Sequence, residues 1–472
     1  MSGASPIDVG TRKQLFADDH IIGERQNVFR TLNQPTKYHD NPIIELAPPQ
    51  QVGGDEHVIV MGTVMYDEDE RIFKMWYECA DYPWSFNVIA YATSVDGIHW
   101  ERPNLGIMEF RGSRENNYVF HRGKRNVTAG IYKDPTAEEG SRRYKMIYNC
   151  GDGVGVAFSP DGLRWTSEPD VRVAKISDSP HSVMWEPRLG RYVAHSRHWE
   201  QMEFADGYGY GGPRGLGTRV VLQSESEDFI NWTPYGIIMA PDDEDPPWTR
   251  QFYNMEWMPY EDVYFGFIAA YHVLPGMEEK ITTGPPWMDT IDIQLSFSRD
   301  NRTWMRAGDR QTFIPTGPDE YDKGMVYVFQ HPLVVGDEIR FYYAGFSGLH
   351  WATRRAEPQG GVVCMATLRL DGFVSMDAGE GALTTKALTM AGERLVINAD
   401  ASLGSIAVEI LDEEGRTIPG FSRAEADAFD GDSLRHTVTW SGGGDVSSLQ
   451  GRPVVVQFHM DRTKLYSFVF AE

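Results

Sequence analysis

An all-β chain, a five-bladed β-propeller followed by a C-terminal β-sandwich, is the fold class the sequence predicts, and three observations predict it. A Ser-x-Asp turn closed by Trp recurs at near-constant spacing, and a short aromatic-rich run precedes each copy. After about Thr385 both give way to plain alternation of apolar and polar residues.

The turns come first. SVDGIHW places its Asp at Asp96, SPDGLRW at Asp161, SEDFINW at Asp228 and SRDNRTW at Asp300, and a worn fifth copy, LRLDGFVSM, puts Asp371 in register. Successive Asp residues are 65, 67, 72 and 71 positions apart, so five structural units are expected. Asp accepts bonds from backbone N–H groups two residues on, Gly tolerates positive φ, and Trp packs between sheets. This turn is a folding device with no catalytic role.

Each unit also carries an earlier matching piece: FKMWYECAD from Phe73, YKMIYNCGD from Tyr144, RYVAHSR from Arg191, VYFGFIAAY from Val263 and IRFYYAGF from Ile339. These runs follow acidic or Gly-containing turns, which marks hairpins. The unit reads as four antiparallel strands, and five such units repeated radially make a propeller that hides its sheet edges. Residues 1–385 form this body, the first forty or so running along its outside or into the domain junction. Residues 386–472 form the sandwich, on the alternating strings ERLVINADAS, SIAVEILDEEGRTIPGF, RHTVTWSGG, RPVVVQFHM and KLYSFVFAE.

Composition excludes several classes. Among 472 residues, 44 Lys and Arg against 68 Asp and Glu give a net charge of −24, which repels phosphate backbones and anionic membranes. No apolar run reaches the ~18 residues a membrane helix needs. Cys79, Cys150 and Cys364 lack metal-type spacing and read as buried side chains in a reducing compartment. The expectation is a cytoplasmic protein, a homo-oligomer being open, with no cofactor, no metal and a small carbohydrate as partner.

With its repeated S-x-D-G-x-x-W turns and its INADAS and AVEILDEEGRTIPGF strings, the chain resembles the five-bladed glycoside hydrolases of family 32, and more distantly family 43. The resemblance implies an axial funnel with acidic residues from the first three blades. The family's W-M-N-D-P-N-G nucleophile motif is absent, and GGDEH offers only Asp55 and Glu56. Its second-blade R-D-P is approximated by Lys133-Asp134-Pro135. Its third-blade E-C is absent, Glu78-Cys79 standing in the wrong blade; Asp178 lies nearest the head of the third inner strand.

Glycoside hydrolysis needs one carboxylic acid and one carboxylate across an oxocarbenium-like transition state. Inner-strand starts and the loops between second and third strands share one face, and the Ser-x-Asp turns are expected on its rim. The catalytic candidates are therefore Asp55, Glu56, Asp134, Asp178 and Glu256. Glu256 stands mid-strand among apolar neighbours, where an unpaired carboxylate is costly. A turn would equally explain Asp134 or Asp178, and solvated charge Asp55 or Glu56. Candidate sugar-binding residues are Asp81, Tyr82, Trp84, Lys133, Asp152, Arg197, His198, Trp199, Asn254, His272, Asp289, Asp292 and His350.

The leading expectation is a hydrolase that removes a terminal furanoside, of fructoside or arabinoside type, or a related sugar from a small oligosaccharide or glycoside. A phosphorylase or transglycosylase is the alternative on the same fold, with Lys133, Arg197 and Arg219 as the only evident phosphate ligands. A noncatalytic sugar-binding protein is the third reading.

Overall fold

The computed structural model describes residues 5–45, 57–81, 87–110, 112–121, 127–175, 177, 181–207, 217–274, 288–350 and 361–472. Three of the expected four-stranded units form as independent antiparallel sheets. The first comprises His57–Asp67, Ile72–Asp81, Asn87–Ser94 and Tyr118–His121. Gly130–Lys133, Tyr144–Asn149, Val154–Ser159 and Thr166–Glu168 make the second. Ser182–Glu186, Arg191–Glu200, Thr218–Ser226 and Trp232–Met239 make the third. In each, the second and third strands are near-continuously buried runs rich in β-branched and aromatic residues, because both faces are covered there, whereas the fourth strands Thr166–Glu168 and Trp232–Met239 are largely exposed.

The remainder departs from expectation. The fourth and fifth units are not separate sheets: Phe252–Tyr260, Val263–His272 and Thr290–Ser298 continue into Met325–Val328, Glu338–Phe346, Gly361–Arg369 and Thr36–Lys37 as one ten-stranded sheet. The junction is a parallel pairing of Ile291 with Met325, where the Ile291 N–H donates to the Gly324 carbonyl at 3.2 Å. Hydrogen bonding thus yields open sheets of unequal size, not five equal sheets closed in a ring. The five-bladed β-propeller expectation is corrected accordingly, and with it the family 32 resemblance that rested on the ring.

The expected C-terminal β-sandwich is corrected as well. Its strands belong to a single nine-stranded sheet threaded by the 18-residue strand Val454–Ala471. That strand pairs along its length with Val374–Thr385, Leu388–Met390, Arg394–Asp400 and Ser405–Asp412, so what reads as two short strands in the sequence is one long strand serving both halves. The N-terminal strands Ile7–Gly10, Gln14–Leu15 and Ile22–Leu32 are members of this same sheet.

The Ser-x-Asp turns form as the chemistry requires. The Asp96 carboxylate accepts from the N–H groups of Ile98 and His99 at 2.8 Å each, the Ser94 hydroxyl accepts from Gly97 N–H at 2.8 Å, and Gly97 has φ +75°. The turn also latches neighbouring sheets, since the Tyr342 hydroxyl donates to Gly97 O at 2.8 Å and Trp76 Nε1–H donates to Gly162 O at 2.7 Å. Backbone bonds hold these turn carboxyls below the usual range, Asp228 at about 2 despite the opposing effect of burial. Their native pKa values lie below the unfolded ones, so the stability they contribute is complete above about pH 4 and is lost as pH falls toward 2. Acid unfolding monitored by tryptophan fluorescence is expected to shift to higher pH in Asp161→Asn, relative to the parent protein, because one of these protonation-linked contributions is gone.

The sheets meet at Gln330. Its Nε2 donates to the carbonyls of Ile131 and Val183 at 2.9 and 3.0 Å, its backbone N–H donates to Gly62 O at 2.9 Å, and its Oε1 accepts from Val183 N–H at 3.3 Å. Thr63 joins in through a parallel bridge to Gln330, and its hydroxyl accepts from Ile131 N–H at 3.2 Å. Gly130 is required here: a Cβ on it would lie 2.1 Å from His181 O and 2.4 Å from Gln330 Oε1.

Candidate functional site

In an antiparallel unit the first strand starts, the second ends and the third starts at one end of the sheet. The Ser-x-Asp turn leaves the far end of the third strand. Ser94, for example, pairs with Phe73, at the end where Asp67 pairs with Ile72. The turns therefore lie opposite the candidate site, which corrects the expectation that they rim it.

At the site end, strand periodicity assembles a cluster between the third sheet and the ten-stranded sheet. His195, Arg197 and Trp199 alternate along one strand and share a face, and Arg219 is the register partner of Trp199. This face packs on Phe252–Tyr260. His195 lies 5.1 Å from the Trp257 ring, and the Arg197 guanidinium lies 4.6 Å from the Trp199 ring centroid and 4.5 Å from that of Tyr253. The Arg219 guanidinium is 5.7 Å from the same Tyr253 ring and 5.5 Å from Tyr271. Its Nη1 and backbone N–H both donate to Gln251 Oε1, at 2.8 and 3.1 Å.

Around these lie the Tyr327 ring, 5.4 Å from Tyr253, and His350, whose Nε2 is 3.2 Å from the Tyr253 hydroxyl. The Tyr271 hydroxyl donates to Asp289 Oδ1 at 2.8 Å, and His350 N–H donates to the Asp289 carbonyl at 2.9 Å. Burial pulls Arg197 down to about 10, with the Arg219 charge adding to the effect. Burial and the Asp289 carboxylate push the Tyr271 phenol well above its ordinary value, so it stays a donor.

Glu256 stands on the same strand as Tyr253. It is 2% exposed, and burial pushes it up to about 8 against the opposing bond from Asn254 Nδ2, which donates to Oε1 at 3.1 Å, and the weaker influence of Ser182. Burial thus favours its neutral form at pH 7. The buried imidazoles cannot share that role, because desolvation holds His181 and His195 down at about 3.

Glu78 is a second buried carboxyl, pushed by burial up to about 7 although Val127 and Thr128 N–H groups donate to it at 2.9 and 3.2 Å. It ties the first sheet to the second, which accounts for its place. Its folded-state pKa lies above the unfolded value, so folding takes up a proton between about pH 4.5 and 7 and stability falls as pH rises through that window. In urea titrations at successive pH values, Glu78→Gln is expected to flatten this slope; an unchanged slope would assign the pH dependence elsewhere.

Several sequence candidates lie elsewhere. Asp134 is at the far end of its strand, 2% exposed, ion-paired with Lys145 at 2.8 Å and bonded by Thr136 and the Tyr192 hydroxyl. Lys133 is held by Asp67 and Asp69 at 2.6 and 2.8 Å. Both are structural, and the Lys-Asp-Pro likeness was to a turn. Asp152 pairs on the surface with Arg172 at 3.0 Å. His272 and Asp292 pair with each other at 3.0 Å, with Thr249 and Thr312 as their outer partners. His198 alternates to the opposite side of its strand from Arg197 and Trp199. Asp55, Glu56, Tyr82, Trp84 and Asp178 lie outside the described residues, and Asp81 is described only as the backbone end of its strand.

Of the candidates, the structure brings together Arg197, Trp199, Asp289 and His350, and places Asn254 and Glu256 on the strand that packs against them. Tyr253, Tyr271, Tyr327 and Gln251 were not singled out; the run QFYNMEW, which holds two of them beside Glu256, was the available signal. Among the described residues no group of three or more His, Cys, Asp or Glu is arranged to hold a metal ion, and no helix is long and apolar enough to cross a membrane.

No protein-family model and no curated protein sequence matches the chain. Among solved structures it is similar to a glycoside hydrolase, at 15% identity and a TM-score of 0.46 over 71% of this chain and 92% of that one. An N-acetylgalactosamine deacetylase from F. plautii in complex with blood group B trisaccharide is similar at 13% identity and a TM-score of 0.47, over 72% and 96%. A glycosyl hydrolase from Bacteroides ovatus is similar at 14% identity and a TM-score of 0.43, over 72% and 94%. At these distances no residue role carries across.

Proposed function

We propose that the chain is a carbohydrate-active hydrolase that cleaves a glycosidic bond, with Glu256 as general acid and Asp289 as the second carboxyl group. The observation that carries this reading is a carboxyl only 2% exposed and pushed up to about 8 by burial, on the strand that also presents Tyr253 to two arginines. Acid-assisted glycoside cleavage requires one carboxyl group that gives a proton and a second that attacks or activates water. Glu256, protonated, gives its proton to the leaving oxygen. Asp289, oriented by the Tyr271 hydroxyl, attacks the anomeric carbon or takes a proton from the attacking water. Trp199 and Tyr253 offer ring faces for sugar stacking.

The furanoside expectation depended on an axial funnel in a closed ring and is withdrawn with it. The test is a panel of aryl glycosides, pyranosides and furanosides, assayed with the parent protein, Glu256→Gln and Asp289→Asn. Turnover by the parent and its loss in both variants, with sugar binding retained, is the expected result. Sugar binding without turnover in all three proteins would leave a binding protein and overturn the reading.

A further inference from the structure

We propose that the chain forms a two-fold homodimer through the open edge of the strand Ile22–Leu32, each copy extending the nine-stranded sheet of the other.

This strand ends the nine-stranded sheet on one side, pairing with Val374–Thr385 and with no other strand among the described residues. Between residues 23 and 31 its backbone makes no hydrogen bond outside that pairing, so the outer row of N–H and C=O groups is open. Folded proteins guard such an edge by keeping it short, placing Lys or Pro on it, or covering it. Here it runs eleven residues with neither Lys nor Pro. Residues 23–27 are exposed one after another, so that half of the strand is covered on neither face, and Asn27, at φ +54°, ends its straight stretch. Apolar surface gathers beside it. Phe29 is 69% exposed and Leu403 75% exposed, and both line one depression of about 290 Å³ whose rim carries Asp377, Asp400, Arg462 and Lys464. Bare apolar side chains within a polar rim mark an interaction surface.

The occupant is a second copy because the edge is complementary to itself. In antiparallel pairing about a two-fold axis between Glu24 and Arg25, the Glu24 of each copy stands directly opposite the Arg25 of the other, and Gly23 stands opposite Gln26. Opposite charges are thus matched twice in one contact. Arg25 is free to turn outward, since its ion pair with Asp19 is long at 3.5 Å, and Glu24 accepts only from Gln26 Nε2 at 2.9 Å among the described residues. Local charge permits the approach. The net charge of −24 drives copies apart in general, but here Asp19 is met by Arg25 and Arg30, and the two Asp of the depression by Arg462 and Lys464.

The experiment is sedimentation velocity on the full chain up to about 100 μM, with the parent, Glu24→Arg, Arg25→Glu and the double exchange Glu24→Arg with Arg25→Glu. A dimer is expected for the parent. Each single reversal sets like charges opposite each other twice and is expected to weaken dimerisation by about tenfold or more. The double exchange restores opposite charges and is expected to return the affinity to within about threefold of the parent. Phe29→Ser is expected to weaken the dimer as well, and circular dichroism checks the fold of each variant.

A parent that stays monomeric throughout, the result if this edge serves a different partner or none, would overturn the proposal. So would a dimer unmoved by the single reversals, or one weakened by them and not restored by the double exchange, because the contact would then not be the two-fold pairing of this edge. The readout is mass, so the outcome is separate from the hydrolase reading.

Discussion

Glu256→Gln is expected to lower kcat on glycosides with poor leaving groups by about 10²–10⁴-fold, the usual contribution of a positioned general acid. The loss should shrink on aryl glycosides whose leaving group departs without protonation, which separates proton donation from simple damage to the site. Gln keeps the shape and the acceptor for Asn254 Nδ2, so the strand should be undisturbed. The pH profile carries a second signature. Because burial holds Glu256 protonated up to about pH 8, activity of the parent should fall as pH rises through 8, and the variant's residual activity should lack that limb. A steady-state comparison of the two proteins between pH 5 and 9 checks both points.

Gln330→Ala is expected to destabilise the protein by about 2 kcal/mol or more, since each buried backbone group left without its partner costs roughly 1–3 kcal/mol. The side chain satisfies the carbonyls of Ile131 and Val183 and the Val183 N–H, and these belong to two different sheets. Its removal takes these bonds from the Ile131 carbonyl and the Val183 N–H, while the Val183 carbonyl keeps His331 Nε2 at 3.2 Å. Urea unfolding followed by circular dichroism reads the loss as a lower midpoint. A midpoint within experimental error of the parent would mean that the sheets are held by their apolar seams alone.

Local features of the fold were legible in the sequence and long-range ones were not. The Ser-x-Asp turns were readable because a short side chain bonding its own backbone is decided within six residues, as at Asp96 and Asp161. The strands of the first three units followed from hairpin patterns of the same short range. Whether sheets stay separate is decided by contacts such as Ile291 with Met325, which no local pattern announces. The C-terminal sheet was misread for a related reason: Asp461, Arg462 and Thr463 look like a break between RPVVVQFHM and KLYSFVFAE, yet the backbone continues through them as one strand.

The site shows the same division. Glu256 stands out in the sequence because a carboxylate among apolar residues mid-strand is costly, a statement that needs no tertiary structure. Arg197, Trp199 and Asp289 are candidates from the loop pattern at unit ends, and the structure places them near one another. Asp134 was misplaced by its neighbour Pro135, whereas its actual surroundings, Lys145 and Tyr192, come from adjacent strands in two sheets. Gln251 and Tyr253 carried only the weak signal of standing beside Glu256 in QFYNMEW, since a glutamine or a tyrosine in an apolar strand is ordinary; the approach of two arginines is what marks them.

The most direct test of the central claim is infrared difference spectroscopy of the parent protein against Glu256→Gln across pH 5 to 10. A protonated carboxylic acid band present at pH 7, absent from the variant and titrating away near pH 8, is the expected result. A parent spectrum showing no such band above pH 6 would mean that Glu256 is ionised at neutral pH and cannot be the proton donor.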